Sequence, residues 1–160
     1  MSRQNNNSRK DFYIVCHNIR SRENVGSVFR TSDAFGVSKI YLTGYTPAPP
    51  HEKISKTALG AERWVAWEKR TSVSQLLKEL KKKRVQIVAL EQSPQSVALN
   101  KLKPHFPMAL VVGNEVKGLP RSLVKAADKA VEIPMSGKKE SLNVAVAFGI
   151  AAYQIHRFRD

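Results

Sequence analysis

Three short stretches carry polar side chains where their surroundings are apolar. "NIRSRENVGSVFRT" spans 18–31 and holds Asn24, Gly26 and Arg30, with Asp33 just beyond. Gly26, Arg30 and Asp33 are spaced by four and then three residues, so in a helix they share one face. A glycine inside a helix costs about 1 kcal/mol against alanine, so something should approach that face closely. "VVGNEVKGLP" spans 111–120 and places Asn114 and Glu115 between Gly113 and Gly118. "EIPMSGKKESLNVAVAFGIAAY" spans 132–153 and sets Ser141 and Asn143 at the threshold of an apolar run. The guanidinium suits a phosphate or a developing alkoxide. The glycines would let a backbone approach an adenine or a ribose. Each stretch also has a plain structural reading. Asn24 and Ser141 would be helix N-caps, Arg30 would pair with Asp33, and 113–118 would be a simple turn.

Other chemistry is disfavoured. "HEKIS" at 51–55 lacks the second histidine of a zinc-protease helix, and the histidines at 17, 51, 105 and 156 are scattered, so no metal is expected. "GNEVKGLP" has the glycine spacing of a phosphate-binding loop but lacks the Lys-Ser/Thr that would hold phosphate and magnesium. No dinucleotide fingerprint is present, and no Ser-His-Asp set can be assembled.

The elements that must position these residues follow from periodicity. Branched apolar runs at 12–16, 39–44, 85–90, 108–113 and 130–134 read as strands buried on both faces, with a shorter one at 64–68. Between them, 23–36 reads as a helix with Val25, Val28, Phe29 and Phe35 near one face and Gly36 as its stop. The segment 72–83 is amphipathic through Val73, Leu76, Leu77 and Leu80. "TPAPPH" at 46–51 reads as a rigid loop, and 141–157 as a helix apolar on most sides. Strands alternating with helices predict an α/β fold with a mostly parallel sheet flanked by helices. The second and third polar stretches then fall at carboxyl ends of strands, where open α/β sheets bind ligands.

The 160 residues suggest one domain over 11–160, preceded by a flexible basic arm over 1–10. The net charge of +14 is excessive for a neutral partner and points to a polyanion: RNA, DNA or an anionic membrane surface. The single cysteine, Cys16, allows no internal disulfide and favours a reducing compartment. No apolar run has the length of a membrane span, and the amino-terminal residues lack the apolar region of a secretory signal.

Taken together and in order, N-x-R-x3-N-x-G-x3-R-T, G-N-E-x2-G-L and I-P-M-x5-S-L-N-V resemble the three signature motifs of the SpoU (TrmH-like) RNA 2′-O-methyltransferases of the SPOUT superfamily. The resemblance covers nearly everything after residue 11. It implies a C-terminal deep trefoil knot, S-adenosylmethionine (AdoMet) as cofactor and a homodimer whose active site uses both chains. No metal is expected beside a sulfonium that is already activated, and the reducing compartment expected from Cys16 is taken to be cytoplasmic. It implies cofactor contacts at Leu90, Gly113, Asn114, Gly118, Ile133, Met135, Ser141 and Leu142. It implies a polar catalytic set of Asn24, Arg30, Glu115, Ser141 and Asn143. The substrate would be tRNA or rRNA. RNA contacts are expected from Arg20, Arg30 and the cluster Lys81, Lys82, Lys83 and Arg84; for the arm, an untethered tail is the favoured reading and RNA contact the alternative. For that cluster, a solvated helix end favourable to the helix dipole is an equal reading. Two alternatives share the resemblance: a non-catalytic RNA-binding relative, and an RNA base methyltransferase.

Overall fold

The computed structural model describes residues 10–159; the expected arm therefore lies, Lys10 apart, outside the described residues. Lys10 itself is tied down, its Nζ donating to the Arg159 carbonyl at 2.6 Å and its own carbonyl accepting from Arg159 Nε at 3.0 Å.

The strands are β1 (Phe12–His17), β2 (Lys39–Thr43), β3 (Trp67–Arg70), β4 (Gln86–Leu90), β5 (Val97–Ala98), β6 (Met108–Val112) and β7 (Lys129–Glu132). The helices are α1 (Arg22–Ala34), α2 (Glu52–Ala58), α3 (Val73–Lys82), α4 (Arg121–Ala126) and α5 (Val144–His156). The strands form one sheet in the order β3-β2-β1-β6-β4-β7-β5, and every pairing is parallel. The chain winds outward from β1 through β2 to β3, crosses to β4 and the far edge strand β5, and then sets β6 between β1 and β4 and β7 between β4 and β5. The strand order reverses between β1 and β6.

Alternation within the strands sorts the core into two layers. Phe12, Ile14 and Cys16 of β1 and Met108, Leu110 and Val112 of β6 pack with Val25, Phe29, Ile54 and Phe148 of α1, α2 and α5. Val15, Ile87, Ala89 and Val111 face Leu76, Leu77 and Leu80 of α3 and Leu123 of α4. Period-two side chains on a doubly covered sheet produce this division.

Several boundaries move. The strand expected at 64–68 begins only at Trp67, because Ala61–Arg63 close a 3₁₀ turn that leads into exposed Trp64. Helices α2 and α4 and strand β5 have seven, six and two residues, too short for a periodic signal. Asn24 is not the N-cap of α1. Ser21 is, its hydroxyl accepting from the Asn24 backbone N–H at 3.1 Å. Ser141 is not the cap of α5 either. Asn143 caps it, Oδ1 accepting from Ala145 and Val146 N–H at 2.9 and 3.2 Å.

Gly26 is buried, and the close approach expected there comes from α2. A Cβ at Gly26 would lie 2.0 Å from Thr57 Oγ1 and 2.3 Å from the Ile54 carbonyl oxygen. Thr57 Oγ1 also donates to the Glu23 carbonyl at 2.9 Å, which locks the crossing. The glycine is thus explained by helix packing. Helix α5 buries Phe148, Ala151, Ala152 and Ile155 within the chain but leaves Val146, Ile150 and Tyr153 exposed.

Candidate active site

The carboxyl ends of β4, β6 and β7 and the entry to α5 enclose a cavity of about 400 Å³. All eight residues expected to contact a cofactor line it: Leu90, Gly113, Asn114, Gly118, Ile133, Met135, Ser141 and Leu142. Three strand ends converge there because adjacent parallel strands finish at the same edge of the sheet. The glycines at 113 and 118 answer an internal need. A Cβ at Gly113 would lie 2.7 Å from the Gly118 carbonyl carbon, and one at Gly118 would lie 2.2 Å from Glu91 Oε2. Gly118 also has φ of +66°, where other residues are strained.

The polar rim is a connected chain of hydrogen bonds. Glu115 accepts from the backbone N–H groups of Arg20 (3.1 Å) and Ser21 (3.1 Å) and from the Asn24 amide (3.2 Å). Asn24 Oδ1 then accepts from Asn143 Nδ2 at 3.1 Å, and Asn143 caps α5. One residue from each polar stretch therefore meets the others, across sequence separations of 91 and 119. Burial pushes the Glu115 carboxyl up, but its hydrogen bonds from Arg20, Ser21, its own backbone and Asn24 outweigh this and hold it below its ordinary value. It is ionised at neutral pH.

Asn114 links the cavity to the other half of the sheet. Its amide donates to the Asn18 carbonyl at 3.0 Å and to the Tyr45 hydroxyl at 2.9 Å, and its Oδ1 accepts from Val116 and Lys117 N–H. His17 lies beneath, its Nδ1 2.9 Å from Thr43 Oγ1, and burial lowers its pKa. Burial and, secondarily, the Glu115 charge push the Cys16 thiol up to about 12, so it is inert.

Arg30 is not at this rim. Six residues beyond Asn24 on α1, it stands about 9 Å along the helix axis and a third of a turn round. It is exposed and makes no hydrogen bond or ion pair among the described residues. The pairing with Asp33 does not form, because Asp33 accepts from Trp64 Nε1 at 2.7 Å. Lys81, Lys82, Lys83 and Arg84 are exposed but sit just before β4, at the amino edge of the sheet. The length of β4, about 13 Å, separates them from the cavity at Leu90. Lys81 is partly engaged by the Ala126 carbonyl. Arg20 is exposed on the segment that Glu115 holds.

A second cleft of about 490 Å³ adjoins the cavity and carries Lys117, Arg121 and Lys125 along its walls. Sequence reading missed this group, whose members come from two elements and signal nothing alone. Among the described residues no group of three His, Cys, Asp or Glu could hold a metal ion.

Residues 11–153 match the model of the SpoU rRNA methylase family. The chain belongs to that family. It is 38% identical to the tRNA (guanosine(18)-2′-O)-methyltransferase of Aquifex aeolicus (strain VF5), over 95% of this chain and 72% of the relative. The crystal structure of the A. aeolicus TrmH/SpoU tRNA modifying enzyme superposes with a TM-score of 0.85 at 36% identity, covering 94% of this chain and 76% of that one. The AdoMet-bound rRNA methyltransferase of Sinorhizobium meliloti superposes with a TM-score of 0.82 at 29% identity, covering 92% and 56%. The chain thus spans from just over half to about three quarters of these relatives. In this SpoU family member the cavity lining and the Glu115–Asn24–Asn143 chain form one site, with Arg30 outside it.

Proposed function

We propose that this chain transfers the methyl group of AdoMet to a ribose 2′-hydroxyl of tRNA or rRNA, acting as a cytoplasmic homodimer. The observation that carries the reading is the meeting of the three polar stretches at the rim of one cavity. The cavity suits the cofactor. Its size falls in the range of about 300–1,000 Å³ common for small-molecule sites. Leu90, Ile133, Leu142 and Ala147 offer apolar surface to an adenine. Glu91, Glu115, Glu132 and Glu140 line it beside one lysine, Lys117. In a chain of net charge +14, that acidic lining favours a cationic ligand.

AdoMet supplies a methyl group on a sulfonium already activated for transfer, so the chemistry needs no metal. The protein's part is to hold the ribose and to stabilise charge as the 2′-hydroxyl releases its proton to solvent and its oxygen takes the methyl group, the cofactor leaving as the neutral thioether. Asn24, Ser141 and Asn143 present polar groups at the mouth, and Glu115 fixes Asn24. Arg30 anchors the substrate phosphate and stabilises the developing alkoxide. A guanidinium deprotonates only above about pH 12, so we assign it no role as a base.

Arg30 reaches a site through the dimer. Leu142, just before α5, and Val146, Ile150 and Tyr153 on it form an exposed apolar strip, and α1 packs beside it, with Thr31 against Gly149. An isologous contact over this strip would carry each Arg30 toward the partner's cavity. We extend the reading to a trefoil knot in the C-terminal half. The loops it involves are laced together: Leu119 N–H donates to Glu91 at 2.6 Å, and Gln92 Nε2 to the Glu140 carbonyl at 2.7 Å. The catalytic domain is then 11–160, with 1–10 as a basic arm. Arg20 and Arg30 suit RNA contact by exposure; the Lys81–Arg84 cluster would serve only an RNA long enough to reach the amino edge.

Incubation with radiolabelled AdoMet and bulk RNA tests this. The expected product is label in nucleotides whose 2′-O-methyl group protects the adjacent linkage from alkaline hydrolysis. Label confined to bases, or no transfer with AdoMet bound, would overturn it.

A further inference from the structure

Tyr45 lies two residues beyond the end of β2, at the carboxyl edge of the sheet where the cavity opens. The residue is 57% exposed, yet it is held at both ends. The hydroxyl accepts from Asn114 Nδ2 at 2.9 Å, and Asn114 lines the cavity. The Tyr45 backbone N–H donates to Asn18 Oδ1 at 3.1 Å. The flanking residues are fixed as well. Lys69 Nζ donates to the carbonyls of Gly44 and Thr46, and Thr46 Oγ1 bridges the Cys16 carbonyl (2.8 Å) and Ile19 N–H (3.0 Å). An aromatic ring is thus pinned in solvent beside the site, by bonds that reach only its polar tip and its backbone.

The other exposed aromatics differ. Trp64 is bonded to Asp33, in the last turn of α1, and so lies toward the amino edge. Tyr153 packs edge-on against Phe35, and Phe158 follows α5 at that same amino edge. Among the described residues Tyr45 is the exposed aromatic at the carboxyl edge. Exposed Arg20 stands on the neighbouring segment.

We propose that Tyr45 is a stacking platform for a nucleobase of the RNA strand flanking the target ribose. This rests on the RNA methyltransferase reading. Base–aromatic stacking is insensitive to sequence and strengthens when the ring is already immobile. A ribose entering the cavity leaves its base, or its neighbour's, outside at the rim, and the Tyr45 ring is the exposed aromatic surface there.

The test is binding, read separately from methyl transfer. The probes are a short single-stranded oligoribonucleotide of mixed sequence and a ribose-phosphate oligomer of equal length without bases. The proteins are the parent, Tyr45→Ala and Tyr45→Phe. Both variants lose the bond to Asn114, but only phenylalanine keeps the ring. Tyr45→Ala should bind the base-bearing strand roughly five- to hundred-fold more weakly and the baseless strand as the parent does. Tyr45→Phe keeps the ring but not its bond to Asn114, so it should lose only about two- to three-fold on the base-bearing strand and bind the baseless strand as the parent does. Equal losses on the two probes, unchanged binding by Tyr45→Ala, or a Phe variant as weak as Ala would overturn the proposal. Failure of the parent to methylate RNA would instead count against the enzymatic reading, since the binding comparison does not depend on turnover.

Discussion

Arg30 and Glu115 are both charged residues of the polar stretches, and their surroundings set them apart. Glu115 is saturated with donors and half-buried, whereas Arg30 is exposed and unpaired among the described residues. Arg30→Ala should therefore lower methyl transfer by about a hundred- to thousand-fold, the effect of losing one preorganised donor at a developing oxyanion. AdoMet affinity should stay within a few-fold, because Arg30 is outside the cavity lining. Single-turnover methylation at saturating RNA, beside a cofactor titration, measures both. Arg30→Lys should recover only part of the rate, since an ammonium lacks the planar fork. A near-parental rate for the alanine variant would make Arg30 a plain surface residue. For Glu115 the folded-state pKa lies below its ordinary value of 4.5. Its ionised form then contributes stability that is fully present above that value and is lost as pH falls through the folded pKa. Glu115→Gln should accordingly melt below the parent at neutral pH, and the gap should close in acid. A gap unchanged between neutral pH and pH 3 would show that the charge contributes nothing.

At the scale of elements, the crossing of α1 and α2 rests on the absence of a side chain at Gly26. Helix propensity alone favours Gly26→Ala by about 1 kcal/mol. The clash with Thr57 and the Ile54 carbonyl opposes it, one partner being backbone that cannot rotate away. Overpacking of this kind typically costs about 1–3 kcal/mol, so the variant should unfold at lower denaturant. Gly137→Ala is the matched control, because nothing lies within 4 Å of its Cβ position. Equal midpoints for the two variants would mean that α2 shifts freely. The helix termini show why these substitutions are hard to foresee. Asn24 and Ser141 are both sound N-cap residues by type. The caps are nonetheless Ser21 and Asn143, which leaves the Asn24 side chain for Glu115 and Asn143.

For the whole molecule, the exposed strip of α5 is the feature to test. Phe148 and Ile155 are consumed by the chain's own core, leaving Leu142, Val146, Ile150 and Tyr153 outward. Light scattering at micromolar concentration should give twice the 17.9 kDa chain mass. Ile150→Asp should shift the protein to the single-chain mass and abolish methyl transfer, because each Arg30 would lose the partner's cavity. A variant that is monomeric and fully active would remove the dimer from the mechanism. No described helix is long and apolar enough to cross a membrane.

Strands β1, β2, β4, β6 and β7, the parallel sheet and the family were legible from the sequence, because buried parallel strands are continuous branched runs and the three polar stretches keep their own local spacing; two-residue β5 was not. The resemblance named eight of the residues that line the cavity, which the shared edge of parallel strands brings together. Contacts between distant segments were not legible. Asn24 meets Glu115 and Asn143 across 91 and 119 residues, and no local pattern encodes which polar group bonds which. Gly26 announced a close approach but not that α2 makes it, because a seven-residue helix has too few turns to display a face. Tyr45 carried no signal, since an exposed aromatic acquires meaning only from the edge it stands on. Arg30 shows the same limit from the other side: its residue type suggested chemistry, and only packing revealed that α1 turns it away from its own chain's cavity.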